Sequence, residues 1–190
     1  MYRVTTTILV LTILVGPSLA DEKGAQWNNY QTLTKLSGDW ILSPTGRQEG
    51  KATKHKTVAP MIGTNKTAMR FQVIGKGSTL QENLLPGTGQ EMATMYHCDN
   101  FNQCDSVKAT HYCAKQNQPK LIISPKSTGS MVVLSCDMST SLCNSDEGHV
   151  HQITHELSEG NGHLKTTYTI HQGGKLQKNS VYHFDRKPGS

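Results

Sequence analysis

Residues 164–185 read LKTTYTIHQGGKLQKNSVYHFD, and this stretch decides the fold class. Thr166, Tyr168 and Ile170 alternate with Lys165, Thr167 and Thr169, which is the two-residue rhythm of a strand with one face in the core. Gln172-Gly173-Gly174-Lys175 interrupts the rhythm, and it resumes from Lys178 to Asp185. Two β-prone runs joined through paired glycines predict an antiparallel hairpin. The same pattern recurs toward the N-terminus. Candidate strands are 39–43, 67–74, 78–84, 91–98, 106–113, 120–124, 130–136 and 149–157, followed by 164–171 and 178–185. Turn signals separate them at 75–77, 86–89, 126–129, 159–162 and 172–175. The weak stretch is 44–60, where an additional strand fits around 50–56.

These connections are too short for parallel crossovers, so the strands form a meander. A meander of about ten strands removes its exposed edges by closing. The expected fold is all-β: an antiparallel up-and-down β-barrel with a short N-terminal helix. A two-sheet sandwich is the alternative. The helix is read over 26–36, where Trp27, Tyr30 and Leu33 recur at three-residue spacing and Ser37-Gly38 ends the run. One apolar face on such a helix suits it to plug a barrel mouth.

The first twenty residues read as a leader. Arg3 supplies one positive charge, an apolar run spans 8–15, Gly16-Pro17 breaks it, and Ser18-Leu19-Ala20 suits cleavage after Ala20. The run falls far short of the roughly 20 residues a membrane-spanning helix needs. The expectation is a signal peptide over 1–20 and one domain over 21–190, secreted or periplasmic. Losing Arg3 lowers the formal charge from +5 to +4, too mild to mark a nucleic-acid binder. The basic residues from Lys51 to Arg70 are spaced out with only Phe71 nearby, and read as a solvated face.

Five cysteines remain: Cys98, Cys104, Cys113, Cys136 and Cys143. Export permits disulfides. Cys98 and Cys104 flank a turn-rich segment, and so do Cys136 and Cys143. Pairing each couple closes two short loops and leaves Cys113 free. No Cys-x-x-Cys pair exists to hold a structural zinc ion. Asn65-Lys66-Thr67 is a glycosylation sequon where the host is eukaryotic.

Two sets of residues resemble known families. Leu36-Ser37-Gly38-Asp39-Trp40 resembles the glycine-x-tryptophan opening of calycins, the lipocalin and fatty-acid-binding-protein superfamily. The stretches Glu82 to Thr88, Glu91-Met92, Met95-Tyr96-His97, Thr110 to Cys113, Asn117-Gln118-Pro119 and Gly148 to His151 resemble uncharacterised, mostly bacterial, lipocalin-like exported proteins. Where those proteins often carry a histidine before the glutamate-methionine pair, this chain has Gln90. The resemblance implies a barrel and supplies no reaction or ligand. Neighbouring barrel families bind fatty acids, retinoids or haem, and that likeness is by fold alone.

Strand alternation sorts the residues that can carry chemistry. His111 and Cys113 share a face, and so do His149, His151 and His155. The candidate ligand-binding set is Glu82, Glu91, His97, His111, Cys113, His149 and His151, meeting an apolar or amphipathic small molecule at the barrel mouth. A second reading gathers His149, His151 and His111 around zinc, copper or haem iron. A third uses a Glu/His pair for acid–base turnover as a hydrolase or isomerase. The plainer reading of each is a solvated or hydrogen-bonded side chain. No nucleophile elbow and no phosphate loop occur, so the sequence leans away from an enzyme.

Overall fold

The computed structural model describes residues 24–44, 47–50 and 52–189. The leader read over 1–20 and Lys51 lie outside them. Helix α1 (Trp27–Thr34) precedes ten strands: β1 (Gly38–Leu42), β2 (Thr67–Ile74), β3 (Thr79–Leu84), β4 (Met92–Cys98), β5 (Val107–Tyr112), β6 (Lys120–Ile123), β7 (Met131–Cys136), β8 (His149–Ser158), β9 (His163–Gln172) and β10 (Lys175–Arg186). Each strand pairs antiparallel with its chain neighbours, and β1 pairs with β10, so the barrel is closed. Every strand therefore has two partners, which rules out the two-sheet sandwich.

Inward residues come from alternate positions. Trp40 and Leu42 on β1, Phe71 on β2, Leu80 and Leu84 on β3, Leu121 on β6, Leu134 on β7, Ile153 on β8, Leu164 on β9 and Phe184 on β10 are all buried. Their outward neighbours, such as Arg70, Gln72 and Lys108, face solvent. The hairpin that decided the fold turns through Gly173 and Gly174 at φ 60° and 67°. Two consecutive left-handed residues match the twist of a hairpin, and glycine adopts them without a Cβ clash.

The two ends of the barrel differ. Helix α1 lies across one of them: the Tyr30 hydroxyl donates to the Gly77 carbonyl at 2.7 Å, and Thr32 Oγ1 to the Gly129 carbonyl at 3.2 Å. Gly77 and Gly129 sit in the β2–β3 and β6–β7 turns, so the helix bridges opposite sides of the rim. Tyr30 and Leu33 are buried beneath it, each contributing roughly 1.5–3 kcal/mol of apolar burial. The Trp40 indole N–H donates to the Leu36 carbonyl at 2.7 Å, tying the helix exit to β1.

The opposite end carries the longer β1–β2 connection. The strand expected around 50–56 is absent from the described residues there; Ala52–Lys54 and Ala59–Met61 are single 3-10 turns. The stretch lacks a two-residue apolar rhythm, and Pro60 cannot donate to a ladder. Thr53, Val58 and Met61 are nevertheless buried, so the segment is anchored over the mouth.

Cys98–Cys104 and Cys136–Cys143 are disulfide-bonded, and Cys113 is free. This is the expected pairing. Each bridge closes a loop of a few residues, contributing roughly 2 kcal/mol by chain entropy. Among the described residues, no helix is long and apolar enough to cross a membrane.

Candidate functional site

A layer of polar side chains crosses the middle of the barrel. Its centre is Glu82 on β3, fully buried. The Tyr96 hydroxyl donates to Glu82 Oε2, and the Tyr168 hydroxyl donates to Oε1 at 2.6 Å. Thr94 Oγ1 reaches Oε1 at 3.3 Å, and His155 Nε2 lies 3.3 Å from Oε2. A buried carboxylate is tolerable only with such a shell of donors. Burial pushes the Glu82 carboxyl up, but His155, Tyr168 and Tyr96 outweigh it and hold it below the usual range. Burial and the Glu82 charge push both tyrosine hydroxyls well up, so they stay protonated and donate.

Two histidines extend this layer. His155 Nε2 lies 2.9 Å from the Tyr96 oxygen, and its Nδ1 lies 3.0 Å from Thr166 Oγ1. His111 Nδ1 lies 2.8 Å from Thr94 Oγ1. The Thr94 hydroxyl carries one proton. If Nδ1–H donates to Thr94 and Thr94 donates to Glu82, both contacts are satisfied. His111 Nε2 then presents a bare lone pair. It is fully buried and has no hydrogen-bond partner. Burial lowers the His111 pKa, with Glu82 opposing, so the ring is neutral near pH 7.

His111 and Tyr168 line a cavity of about 210 Å³ that opens at the end away from α1. Leu84, Leu85, Met92, Val150 and Ile170 give it apolar walls, and Val58 from the β1–β2 connection covers it. Cys113 lines it, and Lys115 and Lys178 stand among its rim residues. Burial pushes the lining Tyr182 hydroxyl up to about 12. The site is thus a largely apolar pocket with the His111 ring in its wall, backed by a buried charge.

The sequence-read residues divide among three places. Glu82, His111 and Cys113 belong to the interior, Glu82 behind the cavity and the other two lining it. Glu91 does not: it is exposed, accepting from Asn83 Nδ2 at 3.0 Å and from the Gly87 amide at 2.8 Å, which stitches the β3–β4 turn. His97 lies on the opposite face of β4 from Thr94 and Tyr96, with its Nδ1 2.8 Å from the Cys98 carbonyl oxygen. His149 and His151 line a separate depression with Met138, Cys143 and His171. His111 is therefore not gathered with them. His155 faces the interior and also parts from them. The cause is a β-bulge between Val150 and Gln152, which adds one residue and shifts the alternation.

Alternation could have found Tyr96, two residues from Thr94, and Tyr168 within the hairpin. Tyrosines in strands ordinarily read as core, and nothing local marks a shared carboxylate partner.

No protein-family model matches the chain, and no curated protein matches it either. Fold and site alone define its class: a closed antiparallel barrel with a small, largely apolar interior cavity. The cavity wall includes the ring of His111, whose Nε2 is buried without a hydrogen-bond partner.

Proposed function

We propose that this chain is an exported, lipocalin-like barrel that holds one small amphipathic molecule in the cavity beside His111. The observation that carries this reading is His111, whose ring lines the cavity and whose buried Nε2 has no hydrogen-bond partner. An orphaned buried acceptor costs about 1–3 kcal/mol, which a ligand hydroxyl or amide N–H recovers. The apolar walls take the rest of the ligand, and the two rim lysines favour an anionic group at its outer end. Two disulfides accord with an oxidising compartment. The closed meander and the Gly38-x-Trp40 opening accord with the calycin likeness.

The cavity is smaller than the roughly 300–1,000 Å³ of pockets for drug-sized ligands. A haem is too large for it, so the interior does not support haem ligation. The third reading, acid–base turnover, has one specific support: the Glu82–Thr94–His111 chain polarises the His111 ring, which lines the cavity. That reading requires a turnover that Glu82→Gln abolishes.

Native mass spectrometry on protein purified from its own host tests the binding reading. A co-purified small molecule is expected, retained by wild type and at least tenfold depleted in His111→Leu. Protein that carries none, and whose melting temperature does not respond to medium-chain fatty acids or alcohols, would overturn it.

A further inference from the structure

A second cluster of imidazoles lies apart from the interior cavity. His149 begins β8 and pairs with His171 on β9, while Val150 pairs with Ile170. Val150 and Ile170 line the interior, so by alternation their neighbours His149 and His171 project to the other side of the sheet. The bulge at His151 turns its ring to the same place. His149 Nε2 and His151 Nδ1 lie 3.1 Å apart. Ordinary i, i+2 spacing on a strand separates side chains by roughly 7 Å; here the bulge closes that gap.

Two nitrogens bound to one ion at about 2.0–2.1 Å each lie about 3 Å apart. The observed spacing fits. His149 Nδ1 is 2.7 Å from the Glu147 carbonyl oxygen, and a carbonyl requires Nδ1–H there. That fixes the tautomer and leaves Nε2 as a lone pair, the arrangement that orients metal-ligating histidines. The His171 ring stacks on His151 at 3.9 Å with planes 2° apart, holding its orientation. No Lys, Arg, Asp or Glu lines the depression, whose volume is about 310 Å³.

We propose that His149 and His151 bind one divalent late-transition-metal ion, copper(II) or zinc(II), in this depression. Cys136 Sγ also lies within 4.8 Å of both imidazoles. Its sulfur is committed to the bridge with Cys143, so it supplies no thiolate. Water and Met138 are left to complete the coordination, because the His171 ring lies parallel to that of His151 and its lone pairs point in a separate plane. Copper(II) binds such nitrogen pairs more tightly than zinc(II).

The test is calorimetric titration of untagged protein with zinc chloride, and with copper sulfate against a competing chelator. Copper electron paramagnetic resonance reports the coordinated nitrogens. One ion per chain is expected, with hyperfine coupling to two imidazoles. His149→Ala and His151→Asn should each weaken binding at least tenfold, and His111→Leu should not change it. His149 is buried, so the more exposed His151 keeps the test alive if His149→Ala fails to fold. Wild-type affinity in the His151 variant, or no binding by wild type, overturns the site. A loss seen only in His183→Ala would move the ion to the outer-sheet pair His163 and His183, also 3.1 Å apart, and would overturn it too. Ligand retention in the interior is read separately, so either reading can fail alone.

Discussion

Glu82 is the residue on which the interior depends. Four donors converge on its two oxygens, and two of them are tyrosines too buried to ionise. Glu82→Gln keeps the shape and replaces one acceptor oxygen with an NH₂ that faces donors. We expect it to lower unfolding free energy by about 2–3 kcal/mol, measured by urea titration with an unchanged slope. Acid should act in the same direction. Glu82, His111, His151 and His171 all bind protons more weakly folded than unfolded. Stability then rises with pH wherever the unfolded chain holds more protons. The histidine share is present above about pH 6.5 and falls away below it, and the Glu82 share falls away below about pH 4.3. Urea midpoints from pH 8 to pH 2 should fall in those two stages; a flat profile would contradict these shifts.

At the scale of elements, the strands were legible because their rhythm is set by one-sided burial. Thr67–Ile74 has the bounds that alternation predicts, and the other nine strands differ by a few residues at most. The bulge at His151 was not legible. One inserted residue leaves no mark in an already polar run, His149-Val150-His151-Gln152, yet it decides which histidines meet. The interior network was half legible for a related reason. Alternation places Glu82 and His111 on a face but does not say which faces converge across a barrel. Helix α1 was legible from Trp27, Tyr30 and Leu33, and the structure sets Tyr30 over the rim. Tyr30→Ala should cost about 3–5 kcal/mol by opening a cavity under the helix, with the far-ultraviolet spectrum unchanged. The Cys98–Cys104 bridge lies beside this end, where Gln26 N–H donates to the Cys104 carbonyl at 3.1 Å. Replacing both cysteines with serine should cost roughly 2 kcal/mol, or about 4–8 °C in melting temperature.

For the whole molecule, closure depends on a short seam. β1 and β10 share three paired positions, Trp40 with Arg186 through Leu42 with Phe184. Arg186 clamps that seam: its guanidinium donates to the carbonyls of Ser37 at 2.7 Å and Lys35 at 2.9 Å, and lies 4.2 Å from the centre of the Trp40 ring. Arg186→Lys keeps the charge but loses the planar fork and its stacking. A loss of about 1–2 kcal/mol is expected, with faster amide exchange in β1 than in β5.

That seam also makes the start and finish of the strand cycle next-door neighbours in space. A flexible link from Lys187 back to Gly24, at the same end of the barrel, would keep both α1 and the ring of pairings. New ends could then be cut at Gly173-Gly174, a tip where an added Cβ meets nothing within 4 Å. Such a circularly permuted chain should regain the same ladder and the same interior, because a ring of neighbours has no privileged first member.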